Sequence, residues 1–332
     1  ELTGPYLETL TLSIFPLFLY TSARRYLQAQ SHVGIVMFTL VSANAVNALA
    51  NWLLIFGNLG APALGVTGAG WATLISRIYL GAVLFLYIAW LERSRLRSLS
   101  RDFPRFSRPR IQQLASLGFP AALQVTLEVG VFALATALAS RLDAISLAAH
   151  QVALATASFT FMIPLGVSSA GAVRVGQALG RRSTDQAEEA GWTALLIGGG
   201  FMGLAAIVLL VAPSSILRLF TTNVELIAKG IPLLGVAAFF QIFDGLQVVA
   251  TGILRGIGET RIPMITNLIF HWLVGLPVSF VFCFVFGWGV TGLWVGLCIG
   301  LTAVALRLVW VWARMILELK ATGVPVPLPP AS

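Results

Sequence analysis

Two carboxyl groups stand where carboxyls are expensive to keep. Glu128 lies within the apolar run 112–139, in Gln124-Val-Thr-Leu-Glu128, and Asp244 lies within 226–254, flanked by Gln241 and Gln247. An ionisable side chain at mid-bilayer costs roughly 2.5–3.5 kcal/mol on insertion scales, so it marks a function by default. The chemistry open to such a pair is to hold a coupling cation or a proton, and the charge of a cationic cargo. Burial favours a neutral carboxyl and a nearby cation favours the charged one, so such a group can trade a proton for an ion. The plainer alternative is a buried carboxyl bonded to a helix neighbour. The polar cluster around each residue speaks for the functional reading.

Other polar residues in apolar runs offer less. Asn44, Asn47 and Asn51, three and four apart, share one helix face. They would either line a cavity in the bundle interior or bond between helices. Thr73 is a weaker candidate for the same cavity. His150 precedes Gln151 and reads mainly as a structural histidine; His271 beside Trp272 reads as packing, and His32 falls in a turn. No histidine pair has metal-ligand spacing, and Cys283 and Cys298 lie inside apolar runs. Neither a metal, a cofactor nor a disulfide framework is therefore expected.

The elements that carry these residues follow from composition. Of 332 residues, 58% are hydrophobic and 10% charged, and the mean hydropathy is +0.89. A water-soluble domain carries about 25% charged residues, so a soluble enzyme or binding module is excluded, as is a disordered chain. A spanning helix needs about 20 mostly apolar residues. Nine such segments run near 6–28, 33–56, 66–91, 112–139, 146–173, 188–212, 226–254, 261–286 and 290–316. Pro16, Pro120, Pro164, Pro232 and Pro277 fall inside them as kinks, and Gly199 and Gly203 read as a packing pair. The expected fold is an all-α polytopic membrane protein. Its parts are three helices over 1–91, a basic linker over 92–111, six helices over 112–318 and a tail over 319–332.

The net charge of +8 bears on orientation, because Lys and Arg collect on the cytoplasmic side of a membrane. One set of alternate loops holds sixteen basic residues and the opposite set holds Arg141, Arg218 and Lys229. The linker and C-terminus are thereby expected in the cytoplasm and residue 1 outside. Seven arginines in Glu92–Arg110 suit anionic lipid better than nucleic acid. Arg77 and Arg307 sit within spans, and 19 of the 21 basic residues are Arg, a bias that suggests a GC-rich bacterial genome.

A repeat supports two lobes. Gly65-Val66-Thr67-Gly68 opens the third span and Gly289-Val290-Thr291-Gly292 the ninth, with Trp71 and Trp294 following, at an offset of 224 residues. Repeats of equal orientation imply an axis along the membrane normal. Carried back by the same offset, the six-helix lobe after the linker predicts about three further helices before residue 1.

These motifs resemble the multidrug and toxic compound extrusion family, the MATE transporters, in their bacterial NorM-like branch. The matching pieces are Arg25-Tyr-Leu-Gln-Ala-Gln30, the Asn-rich second span and Gly65–Thr73. They continue with Ala149-His-Gln-Val152 leading to Pro164-Leu-Gly166, then Val175-Gly-Gln-Ala-Leu-Gly180, Phe243-Asp-Gly-Leu-Gln247 and Leu254-Arg-Gly256. The resemblance implies twelve helices in two six-helix lobes, of which this chain looks like helices four to twelve. It implies roles in cation coupling and transport for Glu128 and Asp244, with Gln124, Gln241, Gln247, Phe240, Asn44, Asn47, Asn51, Thr73 and His150 as cavity candidates. Many relatives carry Tyr where Phe240 stands, so a hydroxyl ligand is lost and Na⁺ and H⁺ both remain open.

The implied function is a secondary antiporter, monomeric, in a bacterial inner membrane, exchanging Na⁺ or H⁺ for amphipathic organic cations or drugs amid membrane lipids. No P-loop is present. A lipid-linked precursor flippase of the same superfamily is the alternative. Such relatives tend to line their cavities with basic residues, and here only Arg77 and Arg307 are expected near mid-membrane. A membrane-embedded enzyme would need a nucleophile and base, or a metal cluster, and neither is found.

Overall fold

The computed structural model describes residues 3–60, 62–93 and 107–322. Most of the expected linker and the end of the tail lie outside the described residues. The chain divides into two compact units, within 1–106 and within 107–332.

The first unit holds α1 (Thr3–Leu12), α2 (Ile14–Ala29), α3 (Val33–Phe56) and α4 (Gly65–Leu91). The first expected span is broken. Pro16 has no N–H to return to the carbonyl of Leu12, and its ring crowds that carbonyl, so the helix interrupts at Ser13. The Ser13 hydroxyl bonds back to the Leu10 carbonyl at 2.6 Å and accepts a bond from Arg77, which gives that in-span arginine a partner. Ser76 donates to the Ala43 carbonyl at 3.1 Å and Tyr79 to Ser42 at 3.0 Å, tying α4 to α3. Tyr20, Leu27, Val36 and Leu84 form the core of this unit.

The second unit holds α5 (Arg108–Ala139), α6 (Ala144–Gly180), α7 (Thr184–Val211), α8 (Pro213–Phe220), α9 (Val224–Gly256), α10 (Arg261–Val285) and α11 (Gly289–Thr322). Among the described residues, eight helices are long and apolar enough to cross a membrane, where nine spans were expected. The difference is the first segment, whose two pieces are each too short. The amphipathic α8 was not expected and occupies the connection between α7 and α9. Helix α9 runs through the centre of its unit, packed by α6, α7 and α11. Large apolar side chains such as Phe159, Leu204 and Val211 point outward, as a lipid-facing surface requires.

The two copies of the Gly-Val-Thr-Gly repeat do the same structural job. Gly65 and Gly289 open α4 and α11 with positive φ of 54° and 59°. Three residues on, Gly68 and Gly292 press against the backbone of the preceding helix. A Cβ would fall 2.7 Å from the Leu54 carbonyl carbon in one copy and 2.7 Å from the Phe282 carbonyl in the other. Only glycine permits both the turn and the approach.

Helix α6 is started by Asp143. Its carboxylate accepts bonds from the Ser146 N–H at 2.9 Å, the Ser146 hydroxyl at 2.6 Å and Lys229 Nζ at 3.0 Å. These partners, the Ser146 hydroxyl foremost, hold the carboxyl well below its usual range. A lowered folded-state pKa adds stability that is complete above the unfolded value, about 3.9, and is lost as pH falls toward the lower folded value. Asp143→Asn is expected to lower the melting temperature at neutral pH, with the gap to wild type narrowing below about pH 4. An equal gap at neutral and acid pH in a thermal melt would remove the ionic part of this cap.

Candidate functional site

Helices α5, α6 and α9 enclose a cavity of about 440 Å³. Helix α9 supplies Phe240, Asp244, Val248, Thr251 and Arg255, each three or four residues from the next, so one face of one helix lines the space. Gln124, Glu128 and Phe132 come from α5 by the same spacing, and Leu154, Phe161 and Ser168 come from α6. Both carboxyls therefore face one mostly apolar chamber.

Polar side chains fasten the walls. Ser168 donates to the Val248 carbonyl at 2.7 Å, joining α6 to α9, and the Thr160 hydroxyl lies 2.8 Å from Gln241 Oε1. The Ser168–Val248 bond is possible because Gly252 lets the helices meet: a Cβ there would fall 2.5 Å from the Ser168 carbonyl oxygen. Trp272 of α10 donates to the Leu127 carbonyl at 3.0 Å, holding α5 beside Glu128.

A row of groups crosses the floor. Arg255 Nη2 donates to Gln124 Oε1 at 2.6 Å, and Gln124 Nε2 lies 3.4 Å from Glu128 Oε2. The apolar run 226–254 stops one residue short of Arg255 and so leaves it outside the expected span. Helix α9 continues to Gly256 and carries the guanidinium to the chamber wall, where it meets Gln124. Arg255 lies four residues past Thr251 and eleven past Asp244, so the same face rule finds it once the helix is extended by half a turn.

The remaining candidates separate. Gln241 and Gln247 are fully buried on α9. Gln247 lies beside Glu128 with both amide atoms short of hydrogen-bonding geometry, and the buried Thr251 hydroxyl also has no protein partner among the described residues. Asn44, Asn47, Asn51 and Thr73 belong to the first unit. There Asn44 is exposed, Asn47 and Asn51 bond each other at 3.0 Å, and Thr73 bonds its own helix at Ala69. The stripe expected to face the bundle interior is thus not buried in its unit, where neighbouring Ala43 is. Gly203, expected to pack with Gly199, has open space around it, whereas Gly198 meets Val249.

His150 lies outside the cavity wall and behind it. Trp294 Nε1 donates to His150 Nδ1 at 3.0 Å, so Nε2 carries the proton. Thr136 spends its hydroxyl hydrogen on the Phe132 carbonyl at 2.9 Å and accepts from His150 Nε2 at 2.9 Å. The neutral imidazole satisfies both neighbours. Trp294 then packs edge-on against Phe240 at 5.3 Å, and Phe240 against Phe132 at 6.0 Å, so His150 fixes an aromatic stack that ends in the cavity wall.

Comparison with known proteins gives a consistent picture. The family model MatE matches residues 120–281. The chain is 39% identical over 316 residues to a "Probable multidrug resistance protein NorM" of Mesorhizobium japonicum, covering 94% of this chain and 68% of that protein. It is 36% identical over 327 residues to another of that description from Brucella suis, covering 96% and 69%. In structure it resembles the eukaryotic MATE transporter AtDTX14, at 24% identity and TM-score 0.82 over 97% of this chain and 72% of that one. A MATE transporter in a bent conformation superposes with TM-score 0.84 at 21% identity, over 96% and 70%.

Replacing His150 by Leu leaves the Trp294 N–H buried without an acceptor, at a cost of roughly 1–3 kcal/mol. His150→Leu is expected to melt earlier than wild type in detergent. An unchanged melting temperature would show that Trp294 is held by packing alone.

Proposed function

The chain belongs to the MATE family of multidrug efflux transporters, and from that premise we propose that it is a secondary antiporter whose coupling ion binds at Glu128 and Asp244. The ion, Na⁺ or H⁺, moves inward as an amphipathic organic cation moves out. The observation that carries this reading is that two carboxyls on different helices share one apolar chamber with a single guanidinium.

Charge counting supports it. With both carboxyls ionised, Glu128, Asp244 and Arg255 sum to one negative charge inside an apolar wall. One monovalent cation, one proton or one cationic drug neutralises it, so cargo and coupling ion compete for one charge. That is the condition for exchange by alternating access, in which either occupant lets the site move and the unneutralised site is held back by the cost of its charge. Phe240 brings no oxygen, but the Thr251 hydroxyl lines the chamber with no protein partner among the described residues, and the Gln247 amide is buried on the same helix beside Glu128. Hard cations take such ligands. The apolar remainder, Leu154, Phe161 and Phe132 among it, suits a flat organic cation.

The asymmetry of basic residues supports a cytoplasmic C-terminus and insertion in the bacterial inner membrane. The named relatives are multidrug resistance proteins, which does not favour the flippase alternative.

Asp244→Asn leaves Glu128 and Arg255 to cancel each other, with no charge for a cation to balance. Ethidium efflux by this variant is expected at background, with membrane level and detergent elution profile as in wild type. Asp244→Glu should retain part of the activity. In vesicles carrying the wild-type protein, an imposed Na⁺ gradient or an imposed pH gradient is expected to drive efflux. Full efflux by the Asn variant, or no efflux under either gradient, would overturn the proposal.

A further inference from the structure

A second opening lies outside the carboxylate chamber, between α6 and α7, with a volume of about 410 Å³. The helices are consecutive and joined by a short turn, so they run antiparallel. Arg181, just past the end of α6, and Gln186, in the first turn of α7, stand at the mouth, and Arg181 Nη2 donates to Gln186 Oε1 at 3.2 Å. Arg174 lies on the same face two turns deeper, about 10 Å along α6. A further two turns in, the walls are Val167 and Ile197. Gly171, Ala178, Ala190 and Ala194 make the floor, so no large side chain fills the groove. The opening is graded along the membrane normal, cationic at one end and apolar at the other.

One carboxylate shares the cationic end. Glu189 of α7 lines the groove at a level between the two arginines. Arg174, Arg181 and Glu189 are all exposed, and among the described residues no ion pair joins Glu189 to either arginine. The acidic neighbours Asp185 and Glu188 are occupied with Lys320 instead. Two guanidinium forks and a carboxylate therefore open separately onto one groove.

We propose that this groove binds a glycerophospholipid whose head group carries a primary ammonium, namely phosphatidylethanolamine. Arg174 and Arg181 hold the phosphate, since a guanidinium meets phosphate oxygens with two parallel hydrogen bonds. Glu189 accepts hydrogen bonds from the ammonium. An acyl chain lies along the small-residue floor toward Val167 and Ile197. Basic openings between membrane helices commonly hold lipid head groups; the carboxylate is what selects this one. A choline head group has no N–H to donate, and a glycerol head group brings no positive charge to Glu189. The inference requires only that α6 and α7 cross a bilayer, and is independent of the coupling ion.

The test is native mass spectrometry of the purified transporter titrated with phosphatidylethanolamine, phosphatidylglycerol or phosphatidylcholine of matched chains. Phosphatidylethanolamine is expected to bind roughly five- to tenfold more tightly than phosphatidylcholine, the worth of one charge-assisted bond at a partly exposed site. Glu189→Gln should erase that preference and leave phosphatidylglycerol binding equal or stronger. Arg174→Gln with Arg181→Gln should weaken all three lipids. O-phosphoethanolamine, which has the head group without chains, should compete poorly. Equal binding of the ethanolamine and choline lipids, or a preference that survives Glu189→Gln, would overturn the assignment. So would displacement by O-phosphoethanolamine as effective as by the intact lipid.

Discussion

Everything in the second unit turns on keeping two carboxyl groups inside an apolar wall. A lone charge there is expensive, and the protein lowers that cost by distributing it. Arg255 supplies a built-in countercharge, relayed through Gln124 rather than set directly on Glu128. The relay matters physically. A direct ion pair would cancel one carboxylate firmly, whereas here the Gln124 amide stands between the guanidinium and Glu128. Asp244, buried and on the facing helix, carries the remainder. Helix α9 is central in its unit, turning its polar face to the chamber while most of its other residues are buried.

Holding that face in place is left to bonds between side chains and backbone. Ser168 reaches the Val248 carbonyl, Trp272 the Leu127 carbonyl and Ser279 the Leu293 carbonyl. Among membrane helices there is no hydrophobic drive to associate, so close packing and such bonds carry the load. Close packing in turn needs small residues at the crossings, which is why Gly252 stands opposite Ser168 and Gly292 opposite Phe282. The Trp294–His150–Thr136 chain extends the same logic to the aromatic wall.

Much of this was legible in the sequence because it rests on local pattern. The apolar runs, the odd carboxyls at 128 and 244, and each copy of Gly-Val-Thr-Gly are visible in short stretches of chain without any knowledge of tertiary contacts. What was missed depends on where a helix ends or which way a face turns. Arg255 looked like a loop residue because the apolar run stops half a turn before the helix does. The break at Ser13 needed Pro16 to be weighed as a breaker near a helix start, not as a kink in a continuous span. Spacing places Asn44, Asn47 and Asn51 on one face, but which neighbour that face meets is a matter of tertiary packing that no local pattern carries. His150 was recognised as structural by type, yet its partners lie 14 and 144 residues away and no local signal names them.

Helix α6 joins the two sites physically. Its residues Phe161, Leu165 and Ser168 line the carboxylate chamber, while Val167, Gly171 and Arg174 line the groove shared with α7. Pro164 lies at the junction. It cannot return a hydrogen bond to the Thr160 carbonyl, so the helix is easiest to bend there. The Thr160 side chain is the one that contacts Gln241 on α9. A bend at this point shifts the part of α6 beyond Pro164 relative to the part fixed on α9. The Ser168–Val248 bond resists such a bend on the chamber side. The chamber and the groove are thus two faces of one helix, and Pro164 lies between the part bonded to Gln241 and the part bonded to Val248.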